Sequence, residues 1–137
     1  MNKFARIGVI AAALLGAAQI ASPAVAATPN EAYSVCFKNS DCNMGYTVGN
    51  IQWDNYPVIT GSVVNRLNSP HSTTAVFESY FHDTKVDSAT RTSRDGNLTF
   101  SPIYVNAYNV NRIKITVCQN WETGVTDCGS PENYRLA

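Results

Sequence analysis

The chain has 137 residues, of which 45% are hydrophobic, and its ten basic residues balance its ten acidic residues. This length predicts one folded domain, and the lack of a net positive charge argues against recognition of nucleic acid or an anionic membrane surface. The sequence contains no P-loop, G-x-G-x-x-G, G-x-S-x-G or EF-hand pattern. It therefore gives no sign of nucleotide-binding, triad-hydrolase or calcium chemistry.

The first 26 residues have the features of a cleavable secretory signal. Lys3 and Arg6 precede an apolar run over residues 7–20, and an A-x-A pattern ends at Ala26. The run is too short to span a bilayer and no charged residues follow it directly, so a membrane anchor is the less favoured interpretation. We expect residues 1–26 to be removed, leaving residues 27–137 as a secreted, extracellular domain. Its formal net charge would be −2, because the segment takes two basic residues and no acidic one.

Seven short segments have the composition of β-strands. The alternation is clearest in residues 110–118, where an extended chain sends Ile113, Ile115 and Val117 to one face and polar side chains to the other. Such a pattern, with turn signals between segments, predicts an all-β fold: a small two-sheet immunoglobulin-like sandwich, with a closed barrel as the alternative. The predicted strands are residues 33–38, 46–53, 58–64, 73–81, 85–92, 98–100 and 110–118.

Several local features predict how these strands connect. Gly49 indicates a bulge or a close backbone contact, and aromatic residues on both faces of segment 73–81 predict a central strand. The Asp95-Gly96 pair predicts a tight hairpin that joins segments 85–92 and 98–100, and Pro102 predicts a strand end or a sheet edge. We interpret three polar stretches as connections or tail, namely residues 39–45, 119–127 and 129–137.

Four cysteines follow the predicted signal, and an even count in an exported chain predicts two disulfides. Cys36 and Cys118 each lie on the polar side of their strands, which disfavours a bridge between them through the interior. Local closure of Cys36 with Cys42 and of Cys118 with Cys128 is favoured. The pairs remain open to exchange if the first and last strands are neighbours in one sheet. The spacing is not that of a metal site, and we expect no metal and no cofactor.

The titratable residues do not form a recognisable catalytic set. His82, Asp83 and Asp87 suggest a zinc or acid–base site, but adjacent residues at a strand-to-strand turn point apart, so a structural or solvated role is favoured. His71 is expected to be exposed. Glu78 is interpreted as an outward-facing strand residue, because glycosidase chemistry needs a second carboxylate that cannot be assigned. We therefore expect no enzymatic activity.

Aromatic residues in the connections are the main candidates for binding. Aromatic side chains in loops often anchor partner proteins or sugar rings. The competing interpretation, which is somewhat favoured, is that these side chains cap the core of the sandwich. The loop closed by the predicted second disulfide, residues 119–127, is a further candidate, because a constrained loop loses less entropy on binding. The candidate aromatic residues are Tyr104, Tyr108, Trp121 and Tyr134, whereas Trp53 is expected in the core.

The chain resembles a group of small secreted β-sandwich proteins of filamentous actinobacteria, many without an assigned function. The resemblance covers most of the domain and rests on fold-level motifs: Cys36 with Cys42, a strand ending at Trp53, residues 59–63, the 84–88 to 95–96 hairpin, and residues 112–118. It is weakly similar to the adaptor subunit of umbrella toxin particles, which joins a lectin-like subunit to a stalk. The resemblance implies an adaptor in an extracellular assembly.

These observations predict a secreted, non-enzymatic protein-interaction module with an extracellular protein partner. An inhibitor of a secreted hydrolase and a carbohydrate-binding domain with a glycan ligand are the alternatives.

N-terminal sequencing of the protein recovered from culture medium tests the predicted cleavage. We expect the secreted chain to begin at Ala27 or Thr28, because small residues at the A-x-A pattern fit signal peptidase. A secreted chain that still carries Met1 would contradict this prediction.

Overall fold

The computed structural model describes residues 28–38 and 41–137, so the predicted signal, residues 1–26, lies outside the described part. Nine strands and no helix occur in these ranges, and no helix there is long and apolar enough to cross a membrane. The strands are β1 (Asn30–Lys38), β2 (Asp41–Gln52), β3 (Val58–Asn65), β4 (Ser72–Phe81), β5 (Thr84–Ser93), β6 (Asn97–Tyr104), β7 (Arg112–Asn120), β8 (Thr126–Cys128) and β9 (Glu132–Arg135).

The strands form two antiparallel sheets, which confirms the predicted all-β, two-sheet architecture. The first sheet has the order β1-β2-β3-β6, and the second has the order β5-β4-β7-β8, with β9 also paired to β7. Because β4 pairs with β5 on one side and β7 on the other, its predicted central position is confirmed.

The inward faces of the two sheets enclose one hydrophobic core. Ile113, Ile115 and Val117 are completely buried on β7, as the alternation predicted. Phe77 of β4 crosses between the sheets: its ring centroid lies 6.0 Å from that of Tyr33 and 5.6 Å from that of Phe100. Trp53 is also buried, with 3% of its surface exposed, as expected.

The predicted hairpin between segments 85–92 and 98–100 is wrong, because the two segments belong to different sheets. β5 pairs with β4, whereas β6 pairs with β3. The turn between them has the expected positive φ at Gly96, 65°, but it carries the chain from one sheet to the other. The turn is held to β3 instead, since Asn65 N donates to the Gly96 carbonyl oxygen at 2.8 Å. Pro102 does not end β6, but it lies in an edge strand, as its missing N–H requires.

Three stretches that we interpreted as connections or tail each contain strand residues, and two of them add β8 and β9 to the seven predicted strands. β2 begins at Asp41, which pairs with Lys38. Within residues 119–127, residues 119–120 extend β7 and residues 126–127 belong to β8, and β9 lies in the predicted polar tail. These segments escaped notice because an outer strand needs few apolar residues. In β9, Tyr134 alone packs on the core, with its ring 6.2 Å from that of Tyr33.

Both predicted disulfides are confirmed, since Cys36 is bonded to Cys42 and Cys118 to Cys128. The exchanged pairing is excluded because β1 and β7 lie in different sheets. The two bridges lie at the same end of the sandwich, which we call the disulfide end, together with the connection 66–71 and the turn 121–125.

Two glycines face each other on β2 and β3, at a position where the neighbouring backbone leaves no room for a side chain. Gly49 pairs with Gly61, and the hydroxyl of Tyr33 lies over them and donates to the Thr60 carbonyl oxygen at 3.2 Å. Burial of this hydroxyl raises the pKa of Tyr33 to about 12. The register of β2 and β3 continues unchanged through Gly49, so of the two predicted roles the close backbone contact is the correct one.

Replacement of Gly49 by alanine tests this contact. The new Cβ would collide with the Thr60 carbonyl oxygen and the Gly61 Cα, so we expect the free energy of unfolding to fall by about 1–3 kcal/mol, measured by urea titration. Gly96→Ala is the matched control, because nothing lies near its Cβ and only its left-handed backbone costs about 1 kcal/mol. A smaller effect at Gly49 than at Gly96 would contradict the steric explanation.

Candidate functional site

The end of the sandwich opposite the disulfides, which we call the loop end, gathers the irregular parts of the chain. The register places three connections there: residues 53–57, 82–83 and 105–111. Thr28, the first described residue, and Leu136 lie at the same end, where both line one cleft. Irregular backbone presented by a rigid sheet scaffold is the usual location of binding residues.

Three tyrosines at the loop end are exposed. Tyr104 is 72% exposed, and Tyr56 and Tyr108 are each 55% exposed. The rings of Tyr56 and Tyr108 lie 5.7 Å apart and tilted by 59°, while Tyr104 pairs with Val58, two residues after Tyr56. We call Tyr56, Tyr104 and Tyr108 the tyrosine cluster. The sequence identified Tyr104 and Tyr108 but missed Tyr56, which lies in the short gap between the predicted strands 46–53 and 58–64.

A cleft of about 530 Å³ opens at the same end, next to the tyrosine cluster. Its apolar lining includes Phe81 and Leu136, which are 41% and 43% exposed. Its polar lining consists mainly of amide and carboxylate side chains. These polar residues are Asp54, Asn55, Asn109 and Asn111.

The backbone around this cleft is tightly constrained. Among the described residues, His82 and Asn109 are the two non-glycine residues with positive φ, 53° and 61°. Asn111 joins the segments: its N donates to Tyr80 O at 3.0 Å, its Oδ1 accepts from His82 N at 3.0 Å, and its O accepts from Leu136 N at 3.1 Å. These hydrogen bonds hold three segments of the loop end together, which reduces the ordering that binding of a partner would require.

The imagined cluster of His82, Asp83 and Asp87 has no support in the described part of the chain, which contains no group of three potential metal ligands. Asp87 instead accepts from Asn106 N at 2.8 Å through Oδ2, which ties β5 to the connection that follows β6.

Trp121 lies at the disulfide end, away from Tyr104 and Tyr108, so these three of the four candidate aromatic residues do not form one site. It is half-buried against the core, and its ring lies 5.2 Å from that of His71. His71 is half-buried rather than exposed as expected, because Trp121 covers it. Between β7 and β8 only residues 121–125 form a turn, closed by Trp121 N donating to Val125 O at 2.9 Å.

Glu78 lies on the outer face of the second sheet between two lysines. Its Oε1 is 3.1 Å from Lys85 Nζ and its Oε2 is 2.6 Å from Lys114 Nζ. Partial burial works against ionisation of Glu78, but the hydrogen bonds from Lys114 and Lys85 outweigh it, so its pKa lies below the ordinary 4.5. A carboxyl with a lowered pKa is ionised at neutral pH and is poorly suited to act as a general acid.

No model of a known protein family matches this chain, and no curated protein or solved structure matches it either. The resemblance to secreted actinobacterial proteins and to the umbrella toxin adaptor therefore remains a prediction, and a functional proposal must rest on the geometry of the loop end.

The pH dependence of stability tests the ion pairs of Glu78. Because its folded-state pKa is lowered, ionised Glu78 stabilises the fold above the unfolded-state pKa, and this contribution is lost as pH falls through the folded-state value. We expect Glu78→Gln to lower the free energy of unfolding near neutral pH by about 1 kcal/mol or less. In urea titrations the difference from the unmodified protein should shrink as pH falls below about 4.5, the ordinary pKa of glutamate, and vanish below the lowered folded-state pKa. Glu122→Gln in the exposed 121–125 turn is the control, and a Glu78 effect that does not change with pH would contradict the assignment.

Proposed function

We propose that this protein is a secreted, non-enzymatic binding protein that recognises an extracellular protein partner through its loop end. The observation that carries this proposal is the tyrosine cluster, three exposed aromatic side chains on one rigid end of the sandwich. The two disulfides indicate an oxidising, extracellular setting, which supports secretion.

Tyrosine is suited to protein recognition because its ring provides a large contact area at a low cost in side-chain entropy, while its hydroxyl tolerates water. Tyrosine is also enriched among the residues that contribute most to protein–protein affinity. The neighbouring Phe81 and Leu136 extend the exposed apolar area beyond the cluster. An exposed apolar surface with a polar surround is typical of an interaction site.

The arrangement of the rings favours a protein over a sugar. The rings of Tyr56 and Tyr108 are tilted by 59° to each other, so their faces do not form one flat platform on which a sugar could stack. Trp53, the largest aromatic residue lining the cleft, is almost completely buried and donates through Nε1 to Glu31 at 2.9 Å. It offers no free face to a ligand.

Carbohydrate binding is the second candidate, because the cleft places Asp54, Asn55 and Asn109 beside apolar side chains. Amide and carboxylate groups of this kind can hydrogen-bond sugar hydroxyls. An adaptor role in an extracellular toxin or surface assembly is a finer form of the main proposal and rests on the resemblance alone. Inhibition of a secreted hydrolase would instead use the 121–125 turn, where Val125 is 58% exposed.

Removal of the tyrosine cluster tests the main proposal. The mature protein is used to capture partners from the culture supernatant of the producing organism, and the captured protein is then purified and its affinity measured. We expect the combined Tyr56→Ser, Tyr104→Ser, Tyr108→Ser variant to bind this partner at least about 30-fold more weakly, as loss of a dominant contact does.

Val125→Ser is the matched control, because it removes a similarly exposed apolar side chain from the opposite end and should leave binding unchanged. Thermal unfolding of both variants confirms that they fold. Equal binding by the tyrosine variant, or loss of binding in Val125→Ser alone, would contradict the loop-end proposal. Binding to a glycan array that the tyrosine variant abolishes, without a protein partner, would support the carbohydrate candidate instead.

A further inference from the structure

The edge of the second sheet at β5 is the least protected edge of the described sandwich. β5 has ten residues and pairs with β4 alone. The other edges are interrupted or covered: β6 contains Pro102, the edge of β7 is paired with the short strands β8 and β9, and the edge of β1 is met by Tyr134, whose hydroxyl accepts from Ser34 N at 3.3 Å. A free strand edge is a template for pairing with another strand.

Two backbone groups on β5 are covered by charged side chains of the same strand. Ser88 N donates to Asp87 Oδ1 at 2.8 Å, and Thr90 O accepts from Arg91 Nη1 at 2.8 Å. Ser88 and Thr90 are two residues apart, so their backbone groups point to the same side of the strand. We take this side to be the free edge, because side chains rather than β4 supply these partners.

Residues 87–91 of β5 can pair favourably with the same residues of a second copy related by a two-fold axis. When two antiparallel copies of one strand pair, residues directly opposite each other have side chains on the same face of the sheet. The two-fold axis between the copies must therefore lie where one residue is opposite the same residue of the other copy. With the axis at Ala89, Ser88 of one copy is opposite Thr90 of the other, and Asp87 is opposite Arg91. An axis at Asp87 or at Arg91 would oppose like charges, which is unfavourable.

We propose that two copies of this chain form a dimer by antiparallel pairing of their β5 strands about Ala89. The Ser88 N–H of each copy donates to the Thr90 carbonyl of the other, which releases Asp87 and Arg91 from their local hydrogen bonds. The two side chains then form an ion pair across the interface, once on each side of the axis. The second sheets of the two copies become one continuous sheet, and the two loop ends point in opposite directions.

Asp87 and Arg91 each have a further contact, outside β5, that limits the motion of the side chain. Asp87 Oδ2 is fixed by Asn106 N at 2.8 Å, and the Arg91 guanidinium lies 5.7 Å from the centre of the Phe100 ring. Both side chains are half-buried, so less conformational entropy is lost when they pair than for freely moving surface charges. The same charges disfavour other registers of β5 pairing. The edge of β5 is therefore expected to pair specifically with a second copy and not to aggregate with other strands.

Charge exchange tests the dimer. Sedimentation equilibrium of the mature protein over low to high micromolar concentration should show a monomer–dimer equilibrium. Asp87→Arg and Arg91→Asp should each raise the dimer dissociation constant by at least about tenfold. An equimolar mixture of the two variants should recover dimerisation, because each opposed pair then again joins opposite charges. Glu122→Lys, which changes the charge of the exposed 121–125 turn as much as Asp87→Arg does, should leave the equilibrium unchanged.

A backbone variant tests the edge independently of charge. Thr90→Pro removes an N–H that faces the free edge, so it should prevent dimerisation while thermal unfolding remains cooperative. A protein that is monomeric at every concentration would overturn the proposal. A dimer that is unaffected by Thr90→Pro, or two charge variants that fail to recover dimerisation when mixed, would overturn the placement of the interface at β5.

Discussion

The structure depends on one packing requirement, that the inward faces of β4 and β7 be covered by the first sheet. Ile115 is completely buried at the middle of β7, and Phe77 beside it reaches both Tyr33 and Phe100 across the interface. Interiors packed this closely tolerate little change in volume, so the two sheets are fixed in separation and register. Residues on the outer faces, at the strand edges and at the two ends of the sandwich are not under this packing constraint.

The two ends of the sandwich are stabilised by different means. The disulfide end combines both covalent bridges with a buried amide: Asn65 Nδ2 lies 2.9 Å from the carbonyl oxygens of Leu67, His71 and Arg94 and shares its two hydrogens among them. The loop end has no cystine among its described residues and relies on Asn111, which joins three segments by hydrogen bonds. Polar groups therefore organise both ends, but among the described residues only those at the loop end leave large aromatic side chains exposed to solvent.

The sequence predicted the strands in which burial of one face makes apolar and polar residues alternate. It did not predict which strands pair with each other. The alternation at Ile113 and Ile115 located the core strand, and the outward position of Cys118 correctly favoured a local bridge. The turn at Gly96 revealed a reversal of the chain, but not the sheet that receives the next strand, because a positive φ carries no information about distant partners. β9 and the exposure of Tyr56 escaped prediction for a related reason, since each depends on contacts between segments far apart in sequence.

The placement of both ends of the described chain beside the cleft has a practical consequence. Thr28 and Leu136 both line this cleft, and so does Asn55, which precedes Tyr56 in sequence. Affinity handles or fusion partners attached at either terminus will therefore crowd the surface whose recognition they are meant to report. The 121–125 turn, remote from the cleft and exposed over residues 122–125, is the better point for insertion of a label.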